Sequence, residues 1–245
     1  MSGHSKWANI KRKKEKTDAV KGNVFTKIGR EIAVAVKAGG SDPNNNSKLY
    51  DVIAKAKANN MPNDNIMRSI KKAAGELGNI NYEKLVYEGY GIGGSAVIVE
   101  CLTDNNNRTA GDIRSYFAKC GGSLGTTNCV SFMFDKKGVI ACEKPDNMTE
   151  DDIFEAALDA GADDVLVEEE TVVVYTAPND LDAVKDGLVS KGLTIMSAEV
   201  EWLPQNTVTL NDEQLAKFNK MLDLFDDNDD VQNVYHNVSM PDDEE

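Results

Sequence analysis

Hydrophobic residues recur with a helical period over the first third of the chain and with a strand period over much of the rest. Val20, Val24, Ile28, Ile32 and Val36 form an unbroken i, i+4 stripe. That spacing predicts a helix with Asp18 as N-cap, stopped by Gly39-Gly40. Lys21, Lys27, Arg30 and Lys37 fall off the stripe. Leu49, Val52, Ile53 and Ala56 mark a second helix, capped by Asn46 or Ser47 and ended by Asn59-Asn60-Met61-Pro62. A third starts near Asn63 or Asp64 and closes between Gly75 and Gly78, with Ile66, Ile70 and Ala74 inward and Arg68, Lys71 and Lys72 outward. Residues 18–79 therefore read as a small three-helix domain with a cationic exterior.

After Asn79 the pattern becomes alternating. KLVYEGYG and SAVIVECLT predict a strand, a glycine loop and a second strand. A polar turn, TDNNNRT (103–109), leads into a helix carrying Ile113, Phe117 and Ala118, and VSFMF (130–134) predicts a further strand. Residues 136 to about 203 then run strand, helix, strand, strand, helix, strand, the split βαβ order of a ferredoxin-like unit. A strand TVTL, a helix NDEQLAKFNKMLDLF and a strand VQNVYHNV follow. The economical topology joins 80–134 with 205–240 as one discontinuous α+β domain and inserts 135–204 into it. Residues 1–17 have too few large apolar groups for a core and form a flexible basic arm; 241–245 is an acidic tail.

Charge changes this picture from a fold to a function class. The net charge is −14, yet residues 1–80 carry 16 Lys+Arg against 7 Asp+Glu, a net of +9, and the remainder carries 11 against 34, a net of −23. Scattered signs would serve solubility equally well, whereas segregation points to a polyanionic partner. No apolar run approaches the roughly eighteen residues of a membrane span. The N-terminal cations are followed by no apolar stretch, which argues against a secretory signal, and Glu15 and Asp18 sit poorly in an organelle transit peptide, so a cytosolic location is expected.

Site chemistry is sparse. The cysteines at 101, 120, 129 and 142 and the two histidines, His4 and His236, match no zinc spacing, so neither a metal nor a cofactor is expected. GYGIGG (89–94) fits a dinucleotide fingerprint in letters, but a strand follows it where a helix is required. Asp226, Asn228 and Asp230 imitate the start of a calcium loop, with Val231 in place of the Gly and Asn237 in place of the closing Glu. No catalytic residues stand out. The strongest signal is the arm: Lys6, Lys11, Arg12, Lys13, Lys14, Lys16 and Lys21 can displace counterions from phosphates, and Trp7 can stack on a base. Lys27 and Arg30 would extend that surface. Asn107, Arg108 and Thr109, at a strand-to-helix turn, would suit a phosphate loop, or equally a plain capped turn. Lys136-Lys137 reads as a basic edge or a turn. Docking of the arm on the protein's own acidic domains is the competing account.

GHSKWANIK (3–11), FTKIGREI (25–32), NMPNDNI (60–66), YEGYGIGG (87–94), VIVECLTDNNNRT (97–109) and GGSLGTTNCVSFMF (121–134) together resemble the YebC family, which includes the mitochondrial translational activator of cytochrome c oxidase subunit I. The resemblance extends to about residue 238. Members differ at the positions of Arg12 and Gly29, and Asn106 stands where a second Arg is common. The resemblance implies a helical domain followed by two α/β domains. Combined with the layout above, the expected fold class is α+β, a three-helix domain plus two ferredoxin-like α/β domains, the last inserted in the middle one. It also implies a non-enzymatic regulator of gene expression whose partner is nucleic acid: DNA for a transcriptional regulator, or ribosomal RNA for a translation factor. No helix-turn-helix with polar base readers is visible to decide between them.

Overall fold

The computed structural model describes residues 18–75 and 81–240, with side chains from Gly22 onward. Within this range the fold is α+β. Residues 18–131 and 208–238 belong to one compact unit, and 132–207 to another.

The first unit opens with three helices, α1 (Asp18–Gly39), α2 (Ser47–Ala58) and α3 (Asn63–Gly75). Their apolar stripes meet in a core of Ile28, Ile32, Val36, Leu49, Ala56, Met61, Ile66 and Ile70. Fully burying side chains such as Ile32 and Leu49 stabilises the unit by about 1.5–3 kcal/mol each. Asn46 caps α2 by accepting from the Leu49 N–H at 3.1 Å, and its amide donates to the carbonyls of Ala35 and Gly40 at 2.8 Å, tying the α1–α2 loop shut. On α3 it is Ala73, not the expected Ala74, that packs inward; Ala74 faces water. The inward arc set by Ile66 and Ile70 reaches position 73 before 74 at 100° per residue.

The same unit contains β1 (Glu83–Tyr90), β2 (Ala96–Thr103), α4 (Asn106–Lys119), β3 (Ser123–Leu124), α7 (Asp212–Asp226) and β8 (Val231–His236). β1 and β2 pair antiparallel from Glu83↔Thr103 to Tyr90↔Ala96, and the GYGIGG glycines form the hairpin loop between them. The sheet order is β3-β1-β2-β8, so the C-terminal β8 returns to pair with β2. α4 and α7 pack through Phe117 and Phe225, 5.5 Å apart edge to face. The expected TVTL strand is only a single bridge, Val208↔Val238.

The second unit comprises β4 (Phe134–Glu143), α5 (Glu150–Asp159), β5 (Asp164–Val167), β6 (Thr171–Thr176), α6 (Leu181–Ser190) and β7 (Ile195–Pro204). Its antiparallel sheet has the order β5-β6-β4-β7, the ferredoxin-like arrangement. Ile140, Cys142, Ile153, Ala157, Val172, Val174, Val184 and Leu188 form the core between sheet and helices. Lys136 and Lys137 lie within β4 opposite Trp202 and Glu201, on the stretch before β6 pairing begins at Gly138, and so are not in a turn.

VSFMF is not a strand. Ser131–Met133 is a short 3-10 turn and pairing begins at Phe134. The reason is Glu88, a buried residue of β1 whose carboxylate accepts the N–H groups of Asn128 (2.8 Å), Val130 (3.0 Å) and Ser131 (2.8 Å). Those donors are therefore not available to a ladder.

Candidate nucleic-acid interface

The candidate residues of the arm, Lys6, Trp7, Lys11, Arg12, Lys13, Lys14 and Lys16, lie outside the described residues, as does the side chain of Lys21. Of the others, Arg30, Arg108 and Thr109 converge on one acid that sequence reasoning passed over. Asp230, only 3% exposed, sits just before β8. Arg30 of α1 pairs with it through Nη1, and the same nitrogen donates to the Leu102 carbonyl at 2.9 Å. Arg108 in the first turn of α4 places Nη2 at 3.0 Å from both Asp230 oxygens and Nε at 3.3 Å from Oδ2. Its Nη2 also donates to Asp104 at 2.9 Å.

Thr109 completes the enclosure. Its Oγ1 lies 2.8 Å from Asp230 Oδ2 and 2.8 Å from Thr103 Oγ1. A hydroxyl has one proton, so Thr109 donates it to the carboxylate and accepts from Thr103, which itself accepts from the Asn105 N–H at 2.9 Å. Asn228 orients the acid by accepting the Asp230 N–H at 2.8 Å. Burial alone would raise the Asp230 pKa; hydrogen bonds from Arg30, Thr109 and Arg108, with the Arg30 charge, outweigh it and hold the carboxyl below its ordinary 3.8.

The strand-to-helix turn thus binds an anion through Arg108 and Thr109, and that anion is the protein's own carboxylate. Asn107 stays exposed at the rim, while Asn105 caps α4 by accepting the Arg108 N–H. The α1 cations turn the same way. Lys27 donates to the Asp226 carbonyl at 2.9 Å, at the negative end of the α7 dipole. Arg30 also lies 5.5 Å from the Tyr82 ring centroid, and Lys37 bonds Asn81. The one signal for Asp230 in the sequence was its spacing from Asn228, which a calcium-loop test discards.

Among the described residues no group of three His, Cys, Asp or Glu is placed to hold a metal, and no helix is long and apolar enough to cross a membrane. A helical region tied by its own cations to an α/β sheet, with a ferredoxin-like unit interposed in the chain, defines a multidomain α+β protein with a divided charge. Comparison with known sequences makes that class specific. The profile of the TACO1/YebC protein N-terminal domain matches residues 5–76, and that of the TACO1/YebC second and third domain matches 82–238. The chain belongs to the TACO1/YebC family. It is 63% identical over 238 residues to a probable transcriptional regulatory protein of Acetivibrio thermocellus, covering 97% of this chain and 98% of that one. A protein of the same description from Lachnoclostridium phytofermentans is 59% identical over 239 residues, covering 97% and 99%. The crystal structure of a conserved hypothetical protein from Aquifex aeolicus aligns with a TM-score of 0.81 at 42% identity, covering 93% of this chain and 94% of that one.

Proposed function

We propose that this protein is a cytosolic, non-enzymatic regulator of transcription that binds duplex DNA through its basic N-terminal third. The observation that carries the reading is the segregation of charge, +9 over residues 1–80 against −23 over the rest. Relatives described as probable transcriptional regulatory proteins support it. The arm cations Lys6, Lys11, Arg12, Lys13, Lys14, Lys16 and Lys21 neutralise phosphates, and Trp7 supplies a stacking surface. Contacts of this kind position the protein on the backbone without specifying sequence. Asn107, at the rim of the Asp230 enclosure, is where a backbone contact could extend onto the sheet region. Lys27, Arg30, Arg108 and Thr109 act in this reading mainly as the frame that orders the basic third.

The test is equilibrium binding to duplex DNA across a salt series, for the full chain and for a chain lacking residues 1–17, beside cosedimentation with ribosomes. The log-log salt slope of the full chain should be steep, about 0.9 per phosphate neutralised, and truncation should flatten it. A chain that ignores duplex DNA but stays with ribosomes at physiological salt is a translation factor instead.

A further inference from the structure

The outward face of α3 carries a set of cations that the Asp230 enclosure does not use. Arg68, Lys71 and Lys72 are exposed, and no ion pair or side-chain hydrogen bond engages them among the described residues. At 100° per residue they fall, with Met67, within an arc of about 140°, opposite the buried Ile66 and Ile70. From Met67 to Lys72 the face extends roughly 7.5 Å along the axis. The single acid of the helix, Asp64, lies in its first turn, where it complements the helix dipole.

This distribution contrasts with α1, where Lys27, Arg30 and Lys37 donate to Asp226, Asp230 and Asn81. On α2, Lys55 pairs with Glu31 at 3.1 Å, while Lys48 and Lys57 are exposed and, among the described residues, engaged by no ion pair or side-chain hydrogen bond. We infer that the Arg68-Lys71-Lys72 face of α3 is a second contact for the sugar-phosphate backbone of duplex DNA, acting beside the arm; the inference rests on the DNA reading above. Charge complementarity selects the occupant. Exposed cations gain about 1 kcal/mol or less from individual carboxylates in water, whereas on a polyanion they release condensed counterions. Met67, 52% exposed at the edge of this face beside Lys71, adds an apolar group that can lie against a deoxyribose.

The experiment uses the full chain carrying Arg68→Gln, Lys71→Gln and Lys72→Gln together, and a fluorescent duplex of arbitrary sequence titrated between low and physiological salt. The log-log slope should fall by about 2–3, at roughly 0.9 per lost phosphate contact. A matched triple, Lys119→Gln with Lys217→Gln and Lys220→Gln, makes the same change in net charge elsewhere and should leave the slope unchanged. Lys71→Gln alone, a swap between good helix formers, should lower the slope by about 0.9 and keeps the test open if the triple misfolds. Equal slopes for the wild type and the α3 variants would overturn the inference while leaving DNA binding by the arm standing. Equal losses in both triples would overturn it as a net-charge effect. A wild type that binds ribosomal RNA and not the duplex would overturn both readings.

Discussion

Replacing Asp230 with Ala should be among the most damaging single substitutions in the first unit. The Asp230 side chain is 4% exposed and that of Arg30 15%, so their pairing is shielded from water and salt. Removing the carboxylate leaves the Arg30 guanidinium half-buried without its counter-charge, and removing one partner of such a pair costs about 3–5 kcal/mol. Arg30→Ala should cost less, about 1.5–3 kcal/mol, because Arg108 and Thr109 still satisfy the acid. Arg108→Ala should cost about 1 kcal/mol or less, since its side chain is 47% exposed and its pairing correspondingly screened. The expected order is therefore Asp230, then Arg30, then Arg108.

Because the chain has two compact units, a single unfolding midpoint would mix their transitions, so the measurement is amide hydrogen exchange followed residue by residue. Protection should fall in α1 and around Leu102 and Val231, with β5 and β6 of the other unit unchanged. A loss below about 1 kcal/mol for Asp230→Ala, or one shared equally by both units, would refute the reasoning. The pH dependence follows from the same contacts. A carboxyl held below its unfolded value contributes stability that is fully present above the unfolded pKa and is lost as pH falls through the folded one. Asp230→Asn should accordingly flatten the acid limb of the stability profile below about pH 4.

Glu88→Gln replaces an acceptor with a donor against three backbone N–H groups; exchange at Asn128, Val130 and Ser131 should accelerate, with a cost of about 1–3 kcal/mol. Cys101 and Cys142 are buried, and burial pushes both thiols up to about 12, so at pH 8 both should resist iodoacetamide in the folded protein. Mass spectrometry should find Cys129, the partly exposed thiol, alkylated before either. Gly89→Ala should destabilise the first unit by about 1–3 kcal/mol, because the added Cβ would meet the Ser123 carbonyl oxygen at 2.6 Å and the Phe117 ring at 2.9 Å. Hydrogen exchange in β1 and β2 unchanged from wild type would show that both the Phe117 ring and the Ser123 backbone can give way.

What the sequence revealed divides by range along the chain. The stripe of Ile28, Ile32 and Val36, the Asn46 cap and the glycine hairpin between β1 and β2 are set by neighbours within a few residues, and period and turn chemistry suffice to read them. The ferredoxin-like order of the second unit was legible for the same reason, since each of its elements has its own apolar pattern. VSFMF was misread because its N–H groups go to Glu88, some forty residues earlier, and an alternating apolar pattern carries no trace of that. The Asp230 enclosure was invisible on the same grounds. Arg30 and Asp230 are 200 residues apart, so the cations looked like surface and the acid looked like one of many.

That long-range pairing changes what the divided charge means. Asp230, in the turn after α7, belongs by sequence to the acidic two-thirds, yet within the first unit its carboxylate pairs with Arg30 of α1, while Lys27 donates to the main-chain carbonyl of Asp226. Part of the segregation is therefore an attraction consumed in folding, which draws Lys27 and Arg30 inward and stabilises the union of the helices with the sheet. Among the described residues, the unconsumed part includes Lys48 and Lys57 of α2 and the Arg68, Lys71 and Lys72 face of α3. Salt should treat the two parts differently. The Arg30–Asp230 pair is shielded and responds weakly, whereas exposed cations on a polyanion respond steeply. Raising salt should therefore release nucleic acid well before it loosens α1 from the sheet, so that binding and fold are held by the same kind of charge at separable strengths.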